Sequence, residues 1–138
     1  PDSNVEDMGP AVSSQSSKTD YRGHLVTTLS TPCVRLSTLC EGVGLIDFLH
    51  VDVQGSELDI LRNEAEWLGK SVRAMMVATH SRVIEGGTMD LLGRLGWVLK
   101  REKPCRFQLD EEPRSSWEGL TQADGAQHWI NPRLWAVA

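Results

Sequence analysis

The sequence predicts an α/β fold built on a mostly parallel sheet and closed by an antiparallel ribbon. Three observations carry this expectation. Residues 46–53 form a nearly continuous apolar run, the pattern of a parallel strand covered on both faces. Leu58, Leu61, Ala65 and Leu68 then recur at i, i+3, i+7 and i+10, which gives one apolar helical face. A second apolar run at 72–80 follows, so strand, helix and strand make a βαβ unit.

A length of 138 residues suits one domain. Lys and Arg number 14 against 19 Asp and Glu, for a formal charge of −5. The basic residues are scattered singly, and a nucleic-acid partner, which clustered Lys and Arg would signal, is not expected. No membrane partner is expected either, because no apolar run approaches the ~20 residues of a bilayer span. Cys33, Cys40 and Cys105 match neither CxxC nor a small disulfide scaffold, so they read as reduced packing residues. Residues 1–22 lack an apolar signal core, which predicts a cytoplasmic protein. The missing initiator Met predicts that the numbering starts inside a longer polypeptide.

Residues 1–22, with Ser13, Ser14, Ser16 and Ser17, read as a flexible Ser-rich arm or loop, and 23–138 as the folded portion. Residues 25–29 and 33–36 are β-rich around the break Thr31-Pro32, and a short helix from Ser37 is stopped by Gly42. After the turn Gln54-Gly55, Ser56 and Asp59 form an S-x-x-D capping box, and Gly69 ends the helix. Ile84, Met89, Leu91, Leu92 and Leu95 outline another helix, stopped by Gly96. Gly86-Gly87 weakens its start by about 1 kcal/mol per Gly relative to Ala. Residues 97–101, 106–109, 127–130 and 134–137 are short strand-like runs that form the closing ribbon.

Ligands of open α/β sheets bind beyond the carboxyl ends of the strands. Asp52 stands at the end of the first parallel strand, with Gln54 and Glu57 around the turn, and His80 closes the second. Neighbouring strands lie ~5 Å apart, so these four residues are predicted to share one pocket. Simpler roles compete: Asp52 as a helix cap, Gln54 as a turn residue, Glu57 as a partner of the helix dipole and His80 as entry to a loop. A carboxylate at the end of an apolar strand needs a partner, which favours a functional Asp52. His50 shares the parity of Asp52 and reads as a buried, hydrogen-bonded histidine. His24 and His128 have no companions at ligand spacing, so no metal site is expected. Trp117, in the polar stretch 110–125, is the tryptophan placed to touch a substrate. There is no G-x-G-x-x-G after a strand, no G-x-x-x-x-G-K-[ST] and no G-x-S-x-G.

The stretch Ile46-Asp47-Phe48-Leu49-His50-Val51-Asp52-Val53-Gln54-Gly55-Ser56-Glu57, followed by an apolar helix, resembles the FkbM family of S-adenosylmethionine-dependent methyltransferases. The family motif reads I-D-x-L-K-I-D-V-E-G-x-E, matched here at Asp47, Leu49, Asp52, Val53, Gly55 and Glu57. His50 replaces its usual Lys, and Gln54 its usual Glu, which removes a negative charge. The resemblance spans roughly residues 33–134. It implies the C-terminal portion of a Rossmann-like class I methyltransferase sheet, with the first half, including the cofactor-binding residues, upstream of Pro1.

The resemblance further implies transfer of a methyl group from S-adenosylmethionine to a hydroxyl of a small molecule or glycan. Asp52 or His80 is then the base, and Glu57 and Gln54 orient the acceptor. A homo-oligomer stays compatible with these residues. Two alternatives remain open. One is a non-catalytic half-domain or assembly module. The other is a haloacid-dehalogenase-like phosphohydrolase, whose nucleophilic Asp also ends an apolar strand, but Gln54 cannot serve as its second carboxylate.

Overall fold

A computed structural model describes residues 15–19, 25–29, 33–109 and 120–135. The central parallel pair is β3 (Ile46–Val51) beside β4 (Val72–Thr79), in register from Ile46 opposite Val72 to Val51 opposite Val77. Next to β4 lies β8 (Gly125–Ile130), antiparallel to it, and beyond that β5 (Val98–Lys103), so the sheet order is β3-β4-β8-β5. Both β4 and β5 oppose β8 and are therefore parallel to each other, and the carboxyl ends of β3, β4 and β5 share one rim. The predicted ribbon is thus divided: β8 is inserted inside the sheet, and β6 (Arg106–Phe107) pairs separately with β7 (Thr121–Ala123).

Helices α2 (Glu57–Asn63), α3 (Ala65–Ser71) and α4 (Arg82–Arg94) bring Leu61, Leu68 and Leu92 against Val72, Met75, Val77, Trp97 and Trp129. Each side chain buried in this way contributes about 1.5–3 kcal/mol relative to exposure. The opposite sheet face carries Phe48, His50, Met76 and His128, and Phe48 is 53% exposed. The expectation that β3 is covered on both faces therefore fails among the described residues, where β3 is also an edge strand. No described helix is long and apolar enough to cross a membrane.

Several local expectations are corrected. Within 1–22, Gln15–Thr19 is not loop but strand β1, paired antiparallel with β2 (Leu25–Leu29). Residues 33–35 are not a strand; they lead into α1 (Leu36–Leu39), and the chain turns at Gly42, whose φ of +78° suits glycine. The single helix predicted to run to Gly69 is broken at Glu64, where φ is −109° and ψ is 9°. The Arg35 guanidinium explains the break: it donates to Asn63 O at 2.7 Å and to Glu64 Oε1 at 3.0 Å, taking a carbonyl at the α2 end.

Residues 134–137 were expected to extend as a strand, yet α5 (Pro132–Trp135) is helical. Asn131 Oδ1 accepts from Arg133 N at 3.2 Å, and Pro132 suits a first helical position, so the local signals favour a helix start. Gly86 and Gly87 do not interrupt α4. A Cβ at Gly87 would stand 2.4 Å from Leu58 Cδ2, so this glycine permits the approach of α2 and α4. Ser81 Oγ caps α4 by accepting from Ile84 N at 3.2 Å.

Gly125 is the tightest point beside the functional rim, because a Cβ there would lie 2.6 Å from Cys105 N and 2.7 Å from Lys103 O. Backbone atoms cannot swing aside as a side-chain tip can. Gly125→Ala is expected to lower stability by about 1–3 kcal/mol, read as a reduced urea midpoint with unchanged slope.

Candidate functional site

The strand ends bring the acid and the imidazole together. Asp52 is the first residue beyond β3 and His80 the first beyond β4, and their parallel register makes them neighbours. The chain then reverses through two left-handed residues, Gln54 at φ +53° and Gly55 at φ +108°. Glu57 Oε1 accepts from Val53 N at 2.9 Å and from Gly55 N at 3.2 Å, and Oε2 accepts from Gly55 N at 3.2 Å. These bonds offset the desolvation of a carboxylate that is fully buried. The predicted capping box does not form: Ser56 makes no side-chain cap bond, and the Glu57 carboxylate satisfies the turn from the opposite direction.

His80 is 1% exposed and lies between two carboxylates. Its Nδ1 is 2.9 Å from Glu57 Oε1, and its Nε2 is 3.3 Å from Asp52 Oδ1. A neutral imidazole carries one N–H and can serve one carboxylate, whereas an imidazolium serves both. His80 thus lies within ion-pair distance of both acids, one buried and one open to solvent. Asp52, with 42% of its side chain exposed, is the member of the row open to solvent.

All four predicted site residues meet here, with one change of partner. Gln54 donates from Nε2 to Asp52 Oδ1 at 3.1 Å, so within the protein its amide faces the acid. Asp52, Glu57 and His80 also offer three ligand atoms within 4.8 Å of one another, a spacing compatible with a cation. Both Glu57 oxygens also accept backbone N–H groups. His50 is exposed, not buried as its parity suggested, because the sheet face that it shares with Phe48 is uncovered. His128 lies on β8, its ring 6.1 Å from that of Phe48. His24 and Trp117 fall outside the described residues.

A cleft of about 600 Å³ lies beside β3 on the α2 side, lined chiefly by Val34, Leu36, Leu49, Val51, Val53 and Ile60, and by none of the four site residues. The sequence did not announce it, because one wall comes from 33–39, which was assigned in part to a strand. Arg35 and Glu64 form its polar end. Burial raises the Glu64 pKa, but hydrogen bonds from Ser37 and the Arg35 guanidinium outweigh this and hold it below its usual 4.5. Burial likewise pushes the Cys105 thiol up to about 11, with the nearby Glu85 carboxylate adding to the rise.

Residues 2–105 match the Methyltransferase FkbM domain. The chain belongs to the FkbM methyltransferase family. A protein of Jannaschia sp. (strain CCS1) named "Putative methyltransferase" is 39% identical over 73 residues, which are 53% of this chain and 26% of that protein. The chain thus spans about a quarter of the length of that curated relative. No solved structure is a significant match.

Two measurements follow from these electrostatics. Glu64 is depressed in the folded state, so its contribution to stability is present above pH 4.5 and is lost as pH falls through the folded value. Arg35→Ala is therefore expected to destabilise at neutral pH, and the gap to wild type should narrow in acid-titrated denaturation below about pH 4. Iodoacetamide at pH 8 should label exposed Cys33 well before buried Cys105, as peptide mass mapping would show.

Proposed function

We propose that this FkbM-family chain provides the acceptor side of an S-adenosylmethionine-dependent O-methyltransferase acting on a hydroxyl of a small molecule or glycan. The observation that carries the reading is the buried row Glu57, His80 and Asp52, which ends in a partly exposed carboxylate on the rim of a parallel sheet. Asp52 takes the hydroxyl proton as the acceptor reacts, and His80, whose Nε2 faces Asp52 and whose Nδ1 faces Glu57, supports the acid from the buried side. Alignment of acceptor and donor supplies the remainder.

S-adenosylmethionine supplies an electrophilic methyl group on a sulfonium. The described residues hold no glycine-rich turn after a strand, and the carboxyl ends of β3 and β4 at this rim are occupied by the row above. They do not form the cofactor's seat alone, so no step is routed through it. The reading assigns that seat to further polypeptide adding a parallel strand at the open edge of β3, as in the first half of a Rossmann-like sheet. The central-strand composition of β3, its exposed Phe48 and the greater length of the matched relative support this assignment.

In the full polypeptide, Asp52→Asn and His80→Ala are each expected to reduce methyl transfer by about 10²–10⁴-fold with the far-ultraviolet dichroism unchanged. Full turnover in both would remove their roles. Calorimetric titration with S-adenosylmethionine tests the cofactor: absence of binding by the full polypeptide would favour a non-catalytic module.

A further inference from the structure

We infer that Gln54 is a positioning residue that locks the Asp52 carboxylate by its Oδ1 atom and so assigns proton acceptance to Oδ2. The inference rests on the reading of Asp52 as the base.

Gln54 is the one non-glycine residue with a positive φ among the described residues, at +53°. L side chains disfavour this region, and glycine would occupy it without strain. Gly55 next to it is a glycine at φ +108°. A side chain kept where the backbone favours none points to work done by that side chain. Here it returns over the turn, and Nε2 donates to Asp52 Oδ1 at 3.1 Å.

The same oxygen lies 3.3 Å from His80 Nε2. Two groups from different elements therefore converge on Oδ1, and together they fix the rotation of the carboxylate about its Cβ–Cγ bond. Both of these contacts are made to Oδ1. In a carboxylate that is 42% exposed, Oδ2 is the oxygen left for a hydroxyl from outside. When a hydroxyl acceptor is deprotonated, its O–H bond breaks, the electron pair of that bond stays on the acceptor oxygen and the proton goes to Oδ2. Without the amide, the carboxylate rotates between its oxygens, and the aligned population falls.

Gln54→Gly separates this role from a structural one. The substitution deletes the amide while suiting the left-handed backbone, and relief of strain opposes the extra freedom of the unfolded chain. In the full polypeptide the melting temperature should stay within a few degrees of wild type. The expected kinetic effect is a kcat reduced about tenfold or more, as for loss of a hydrogen bond to a charged group, with KM for acceptor and donor changed by less than about twofold. Asp52→Asn is measured beside it. An inactive Asp52→Asn with a fully active Gln54→Gly overturns the positioning role and leaves the base assignment standing. A fully active Asp52→Asn, or a wild type without methyl transfer, overturns both. A kcat loss matched by a proportional loss of folded protein also overturns the positioning role.

Discussion

The Glu57 carboxylate is the constraint around which the rim is arranged. It is fully buried, and it is tolerable there because Val53 and Gly55 turn their N–H groups onto it. That requirement bends the chain sharply after β3, which is why two successive residues adopt positive φ. The same carboxylate that holds the turn faces His80 Nδ1 at 2.9 Å. The acid at position 57 is thus both the keystone of the β3–α2 connection and the buried neighbour of His80.

The meeting of Asp52 and His80 was legible in the sequence because a βαβ unit leaves little choice. Two apolar runs joined by one helix become neighbouring parallel strands, and the polar residue closing each must land on the same rim. The helix stop at Gly96 was equally local, since Trp97 N and Gly96 N bond back to Leu92 O and Gly93 O around its left-handed backbone. Such features are written within a few residues of where they act.

What escaped the sequence depends on distant partners. The break at Glu64 is caused by Arg35, 29 residues earlier, and no periodicity within 57–71 announces it. Ser56 and Asp59 carry the letters of a capping box, but Ser56 makes no side-chain cap bond, and the N–H groups of Val53 and Gly55 in the turn go to Glu57. Exposure of His50 followed from an uncovered sheet face, which parity along one strand does not reveal. The same-sequence turn at Gln54-Gly55 was recognised, while the direction of its amide was a matter of backbone geometry.

The placement of β8 has a bearing on how the molecule is made. Strands β4 and β5 follow each other in the chain with only α4 between them, yet the sheet leaves a gap that Gly125–Ile130 must later fill. During synthesis on a ribosome, β4 would therefore expose one long apolar flank until nearly the last described residues had emerged, a period when stray strands could pair with it. Cooperative closure of this sheet waits for β8 to emerge, and any nascent chain interrupted before Ile130 is left with an unsealed interior.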